Sequence, residues 1–198
     1  MSVGGADASV AAGDDLAVWY FAYGSNLSPE KRRRRAGISE LDTRPARVAG
    51  WRLAFDMPGI PPAEPSMANL RSADGEAVHG VLIKMSAADF AALTASEGGA
   101  HFYEVCELVA ESYDGERILA RAFVASERRR RSHERPPSLR YMRLLREGAR
   151  EAGLDAAYCA FLDALPTSEA SPLARLCSAL VLEVFTEAAR SQLHDAAN

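Results

Sequence analysis

Strand-like segments of this chain are concentrated before residue 125 and long helical periodicity after it, and that segregation argues for an α+β domain. The expected architecture is a curled or barrel-like sheet with helices packed on it. Leu16 to Ala22 reads as a buried strand, Ala46 to Phe55 as a second, and Ala77 to Met85 as a third. Between the last two, Pro58 to Pro65 is a loop, because its prolines fit neither a helix nor a central strand. Met67 to Leu70 resumes an extended segment that ends at a turn at Asp74-Gly75. Phe102 to Ala110 and Arg117 to Val124 form a hairpin through Asp114-Gly115.

Helix signals are equally local. Ser28-Pro29-Glu30 starts a short helix that stops near Gly37, and Ser86 caps another that ends at Gly98-Gly99. Pro136-Pro137-Ser138 opens a longer one, on which Tyr141, Leu144, Leu145 and Ala149 recur at helical spacing up to Gly153. Ala156 to Leu165 and Leu173 to Leu193 supply two more, with Pro166 and Pro172 bounding the loop between them. Leu176, Leu180, Val184 and Phe185 give the last helix an apolar face that suits the chain's own core or a second copy, so monomer and homodimer both remain open.

With 198 residues, 48% of them apolar and 25% charged, the chain can bury one full core, expected over residues 16–198. Residues 1–15, rich in Gly, Ala, Asp and Ser, read as a flexible tail. No apolar run approaches the roughly 20 residues that cross a bilayer, and the first residues lack the pattern of a signal peptide. A cytoplasmic protein with no membrane partner is expected. Cys106, Cys159 and Cys177 are far apart and odd in number, and His79, His101, His133 and His194 lack ligand spacing, so neither a disulfide framework nor a metal site is expected. His101 and Cys106 lie at odd separation within one strand region, which argues against a Cys-His catalytic pair.

Two segments point to chemistry. Phe21-Ala22-Tyr23-Gly24-Ser25-Asn26-Leu27 reads as a strand ending in a turn, where Gly24 has no Cβ and Asn26 tolerates left-handed dihedrals. Successive N–H groups in such a turn can hold a carboxylate or phosphate, although an ordinary strand-to-helix turn has the same composition. Glu97 closes a helix next to Gly98-Gly99 and just before Phe102 and Tyr103. A partly desolvated aromatic setting would raise its pKa toward the range useful for acid/base work; an exposed helix-end glutamate is the plain alternative.

These segments together resemble the γ-glutamylcyclotransferases. The resemblance is carried by Phe21 to Leu27, by Glu97-Gly98 with Tyr103 following, and by Pro136-Pro137-Ser138-Leu139-Arg140-Tyr141 running into Gly148-Ala149-Arg150-Glu151-Ala152-Gly153-Leu154. It extends from about Leu16 to Leu165. It implies a small mixed β-barrel flanked by helices and a cofactor-free enzyme that turns a γ-glutamyl amine or amino acid into 5-oxoproline and the free amine. It further implies that Glu97 is the general base and then acid, and that Tyr23, Gly24, Ser25, Asn26 and Leu27 grip the substrate, largely through backbone N–H groups. Tyr103 and Tyr141 would line the pocket, while Phe123 stands where a further family tyrosine is expected and cannot donate a hydroxyl bond. The Asn26-Leu27 ending of the turn resembles the general branch more than the glutathione-specific one.

The arginine runs, Arg32 to Arg35 and Arg128 to Arg131, sustain a different class of function: a module that binds RNA or another polyanion. Against it stand a net charge of −4 and the lack of any nucleic-acid motif, so a small-molecule partner is expected and no nucleic acid. A relative that binds γ-glutamyl ligands without catalysis is a third possibility, against which the presence of Glu97 counts.

Overall fold

The computed structural model of the protein describes residues 17–33, 38–59, 64–97 and 103–168. Five strands, β1 (Val18–Ala22), β2 (Asp42–Pro58), β3 (Ser66–Met85), β4 (Tyr103–Ser112) and β5 (Arg117–Ala125), close into a barrel in the order β1-β3-β2-β4-β5. Closure is made by β1 against β5 in parallel, at Tyr20 and Arg121, whereas the other pairs are antiparallel. The helices are α1 (Pro29–Arg33), α2 (Ala87–Ser96), α3 (Leu139–Glu151) and α4 (Ala156–Ala164). This is the expected mixed barrel flanked by helices.

One expectation fails in detail. Asp74-Gly75 does not end a strand, because β2 and β3 form one long hairpin in which β3 runs unbroken through both residues. Gly75 takes φ 79° and Gly50, on the neighbouring strand, φ 78°, where the pairing register shifts between Ala49 and Trp51. The glycines therefore build a bulge that bends the hairpin instead of reversing the chain. The expected tail at residues 1–15, the helix at Leu173 to Leu193, Gly98-Gly99 and Cys177 lie outside the described residues.

Helix α3 packs against residues Ser25–Leu27, just beyond β1, and against α4. Tyr141, Met142, Leu145, Gly148 and Ala149 form its buried face. Ser138 caps it by accepting the Tyr141 N–H at 3.0 Å, and the same hydroxyl donates to the buried carboxylate of Glu64 at 2.5 Å. Arg140 also donates to Glu64, so a carboxylate from the β2–β3 hairpin loop sets where α3 begins. Gly153 at φ 68° ends the helix, and Asp155 then caps α4 through the N–H groups of Ala157 and Tyr158.

Helix α4 is tied to the barrel through His79 on β3. The Asp155 N–H donates to the Tyr113 hydroxyl at 2.9 Å, that hydroxyl and His79 Nδ1 share a hydrogen bond at 2.6 Å, and the imidazole stacks on Tyr158 with centroids 4.6 Å apart. Burial pushes the His79 pKa down; the Asp155 charge opposes this and Arg47 adds to it. The unfolded chain therefore binds the proton more readily, and stability falls as pH drops from about 6.5 toward the lower folded-state value. The melting temperature should fall more between pH 7.5 and 5 in wild type than in His79→Gln. Parallel pH profiles for the two would contradict this.

Candidate active site

Where β1 ends, Tyr23 and Gly24 lead into a 3-10 turn, Ser25–Leu27, that abuts α3. Among the described residues none other than glycine has positive φ, so the turn is built without the left-handed Asn26 that its sequence suggests. Gly24 is needed for room: a Cβ there would lie 3.3 Å from Ala68 Cβ and 3.4 Å from the Tyr141 hydroxyl. The turn's carbonyls are held from outside by Arg32, which donates 2.9 Å bonds to Asn26 O and Leu27 O and forks onto Glu40. Its side chain is only 11% exposed. Arg32→Ala orphans two carbonyls and a carboxylate, and should cost about 2–3 kcal/mol of stability in denaturant unfolding. A loss below about 0.5 kcal/mol, the range of an ordinary surface change, would contradict that clamp.

The turn faces a recess of about 330 Å³, open mouth included, lined by Tyr20, Tyr23, Gly24, Ser25, Asn26, Ala68, Glu97, Tyr103, Phe123 and Tyr141. Glu97 caps the C-terminus of α2. Its Oε1 accepts from Asn26 Nδ2 at 3.1 Å, and the same amide nitrogen donates to the Tyr20 hydroxyl at 3.0 Å. A carboxylate accepts only, which fixes the nitrogen of Asn26 toward Glu97. Asn26 Oδ1 is then buried with no protein partner among the described residues, an acceptor open to a ligand or water.

The tyrosines are not interchangeable. Tyr23 donates its proton to Phe123 O, which joins β1 to β5 and commits that hydroxyl to the scaffold. The Tyr141 hydroxyl accepts the Ala68 N–H at 3.0 Å and lies within hydrogen-bonding reach of the Ser25 side chain, with its own proton available to donate. Burial pushes the Tyr141 phenol up to about 12, with the Glu97 charge adding to the effect, so it stays protonated near neutrality. Burial likewise holds Tyr23 well above its ordinary value. Phe123 stacks on Phe90 with centroids 5.7 Å apart and rings 2° from parallel, and meets Tyr20 at 5.1 Å and Tyr103 at 6.0 Å. Beside Glu97 the recess therefore has an aromatic wall.

The structure brings Tyr23, Gly24, Ser25, Asn26, Glu97, Tyr103 and Tyr141 together as the sequence suggested. Leu27 is a correction: its N–H bonds to Gly24 O at 2.9 Å, its side chain is 1% exposed, and a Cβ on Gly148 would come within 2.9 Å of it. Leu27 anchors the turn to α3 and does not line the recess. Tyr20 was missed, because inside an apolar strand it reads as core and only its hydroxyl hints otherwise. A roomier groove at Arg47, Glu76, Glu111 and Arg117 lacks such convergence, and its Arg47 and Glu111 already pair at 2.8 Å. Among the described residues there is no group of three or more His, Cys, Asp or Glu that could hold a metal, and no helix long and apolar enough to cross a membrane.

Residues 77–162, which include Glu97 and the β4–β5 wall, match the AIG2-like family. The chain is 30% identical to the γ-glutamylcyclotransferase of Bos taurus over 144 residues, 70% of this chain and 73% of that protein. The chain belongs to the γ-glutamylcyclotransferase family. It is also 34% identical to the γ-glutamyl cyclotransferase gliK of Aspergillus fumigatus over 176 residues, 77% of this chain and 63% of that one. The match thus spans under two thirds of the fungal relative's length. Among solved structures, one titled γ-glutamyl cyclotransferase superposes with a TM-score of 0.67 at 25% identity, covering 80% of this chain and 96% of that one. The barrel of this family member is therefore the cyclotransferase fold, and its recess lies at the turn where β1 ends.

Proposed function

We propose that the chain is a γ-glutamylcyclotransferase, converting a γ-glutamyl amine or γ-glutamyl amino acid to 5-oxoproline and the free amine. The observation that carries this is the pairing of Glu97 with Asn26 at 3.1 Å across a tyrosine-lined recess, beside the turn that begins at Gly24. The γ-glutamyl group is an α-amino acid, so it brings one cation and one anion. Glu97 suits the α-ammonium, and the turn with the Ser25 hydroxyl suits the α-carboxylate. Folded this way, the α-nitrogen faces the γ-carbonyl carbon.

Glu97 takes a proton from the α-nitrogen, which attacks the γ-carbonyl and forms the C–N bond of the five-membered ring. The γ-carbon–nitrogen bond to the leaving group then breaks as Glu97 returns a proton to it. Over the whole reaction the α-nitrogen loses two protons and the departing amine gains two, so no co-reactant is consumed. Nucleophile and electrophile are already joined, so holding the folded conformer is worth several kcal/mol, and the rigid turn and buried Tyr141 suit that task. The Tyr141 hydroxyl, a donor held neutral, fits an oxygen that gains charge during attack.

Incubation with γ-glutamyl-alanine, γ-glutamyl-ε-lysine and glutathione, each followed for 5-oxoproline by mass spectrometry, tests this. Product from at least one is expected, with glutathione the least favoured. No product from any of the three would count against the assignment. A module that binds polyanions through its arginines would instead show RNA affinity that falls steeply with salt.

A further inference from the structure

The cationic last turn of α1 has a place in the site. Lys31 Nζ donates a hydrogen bond to Ser25 Oγ, and Ser25 lines the recess. A hydroxyl that accepts from an ammonium has its own proton left to donate elsewhere, and the ammonium polarises it into a stronger donor. The charge balance points the same way. Among the described residues that line the recess Glu97 is the one formally charged side chain, and a cation close behind the turn favours an anionic ligand group on the opposite side of the recess. Lys31 stands one hydroxyl away. Its backbone is fixed as well, since its N–H bonds to Ser28 Oγ at 3.3 Å and the next residue, Arg32, is locked onto the turn carbonyls.

We propose that Lys31 is a positioning residue for the α-carboxylate of the substrate: it fixes the Ser25 hydroxyl as a donor into the recess and supplies the positive charge that offsets Glu97. This rests on the cyclotransferase reading above. A lysine that merely stabilised the turn would affect all ligands alike, whereas one that recognises a carboxylate sets a preference for the acid over its neutral amide. The reaction itself is remote from Lys31, so its effect is one of binding.

The test uses γ-glutamyl-alanine and its α-carboxamide as substrates, and 5-oxoproline and 5-oxoprolinamide as ligands that undergo no turnover. In Lys31→Met, KM for γ-glutamyl-alanine should rise about tenfold or more with kcat within about twofold, the pattern of a lost ground-state contact. The preference of wild type for 5-oxoproline over 5-oxoprolinamide, read by NMR titration, should shrink by a similar factor in Lys31→Met and survive in Lys31→Arg. If Lys31→Met keeps the full preference for the acid, the assignment of Lys31 is wrong while the cyclotransferase reading stands. If wild type neither makes nor binds 5-oxoproline, both fall together.

Discussion

Glu97→Gln is expected to lower the rate of 5-oxoproline formation by about 10²- to 10⁴-fold, the usual contribution of a placed acid/base group. Glutamine keeps the size of the side chain, and its Oε1 can still accept from Asn26 Nδ2, so the melting temperature should stay within a few degrees of wild type. The loss should appear mainly in kcat, because the proton transfer belongs to the transition state, with a smaller rise in KM from the lost pairing with the α-ammonium. A Glu97→Gln protein that retains a tenth or more of the activity would remove Glu97 from the chemistry. A protein that unfolds would instead move its role to structure.

Gly148→Ala should be the most damaging single-methyl change in α3, although two effects oppose each other there. Alanine favours a helix interior over glycine by about 1 kcal/mol. The added Cβ, however, would lie 2.6 Å from Leu27 C and 2.6 Å from Ser28 N, which are backbone atoms that no rotamer change can move aside. Either α3 backs away from the barrel or the turn shifts, and overpacking of this kind costs about 1–3 kcal/mol and often more against a rigid neighbour. The clash wins, with a net loss of about 2 kcal/mol and a fall in melting temperature of roughly 4–8 °C for a chain of this length. Activity should fall further than stability explains, since the same turn carries Ser25 and Asn26 and α3 carries Tyr141. A Gly148→Ala protein that melts at or above wild type would show that propensity decides and that the contact is soft.

Much of the frame was legible because it rests on local chemistry. Ser86 and Ser138 are the N-caps their sequences advertise, accepting from Asp89 N and Tyr141 N, and Asp114-Gly115 turns the β4–β5 hairpin with Gly115 at φ 93°. Asp74-Gly75 has the same composition and does something else. What separates the two is the partner strand: β2 stays paired with β3 on both sides of Gly50, opposite which β3 bulges out between Ser72 and Ala77, and no local window contains that information. In the site, Tyr23, Asn26 and Glu97 were named from their segments and from family resemblance. Tyr20 was not, since the distance that gives it a role, 3.0 Å to Asn26 Nδ2, is created by the turn folding back over β1. In sequence, the cationic run that includes Arg32 to Arg35 reads as a polyanion patch. Lys31 and Arg32 instead grip the turn, a use that depends on a short helix directing them backward and that composition cannot reveal.

The central claim is that the α-nitrogen, and not water, attacks the γ-carbonyl. It is tested by incubating γ-glutamyl-alanine with the protein in ¹⁸O-labelled water and weighing the products by mass spectrometry. Cyclisation predicts unlabelled 5-oxoproline and free alanine in equal amounts. Glutamate carrying ¹⁸O in its γ-carboxylate would show hydrolysis in its place and contradict the account.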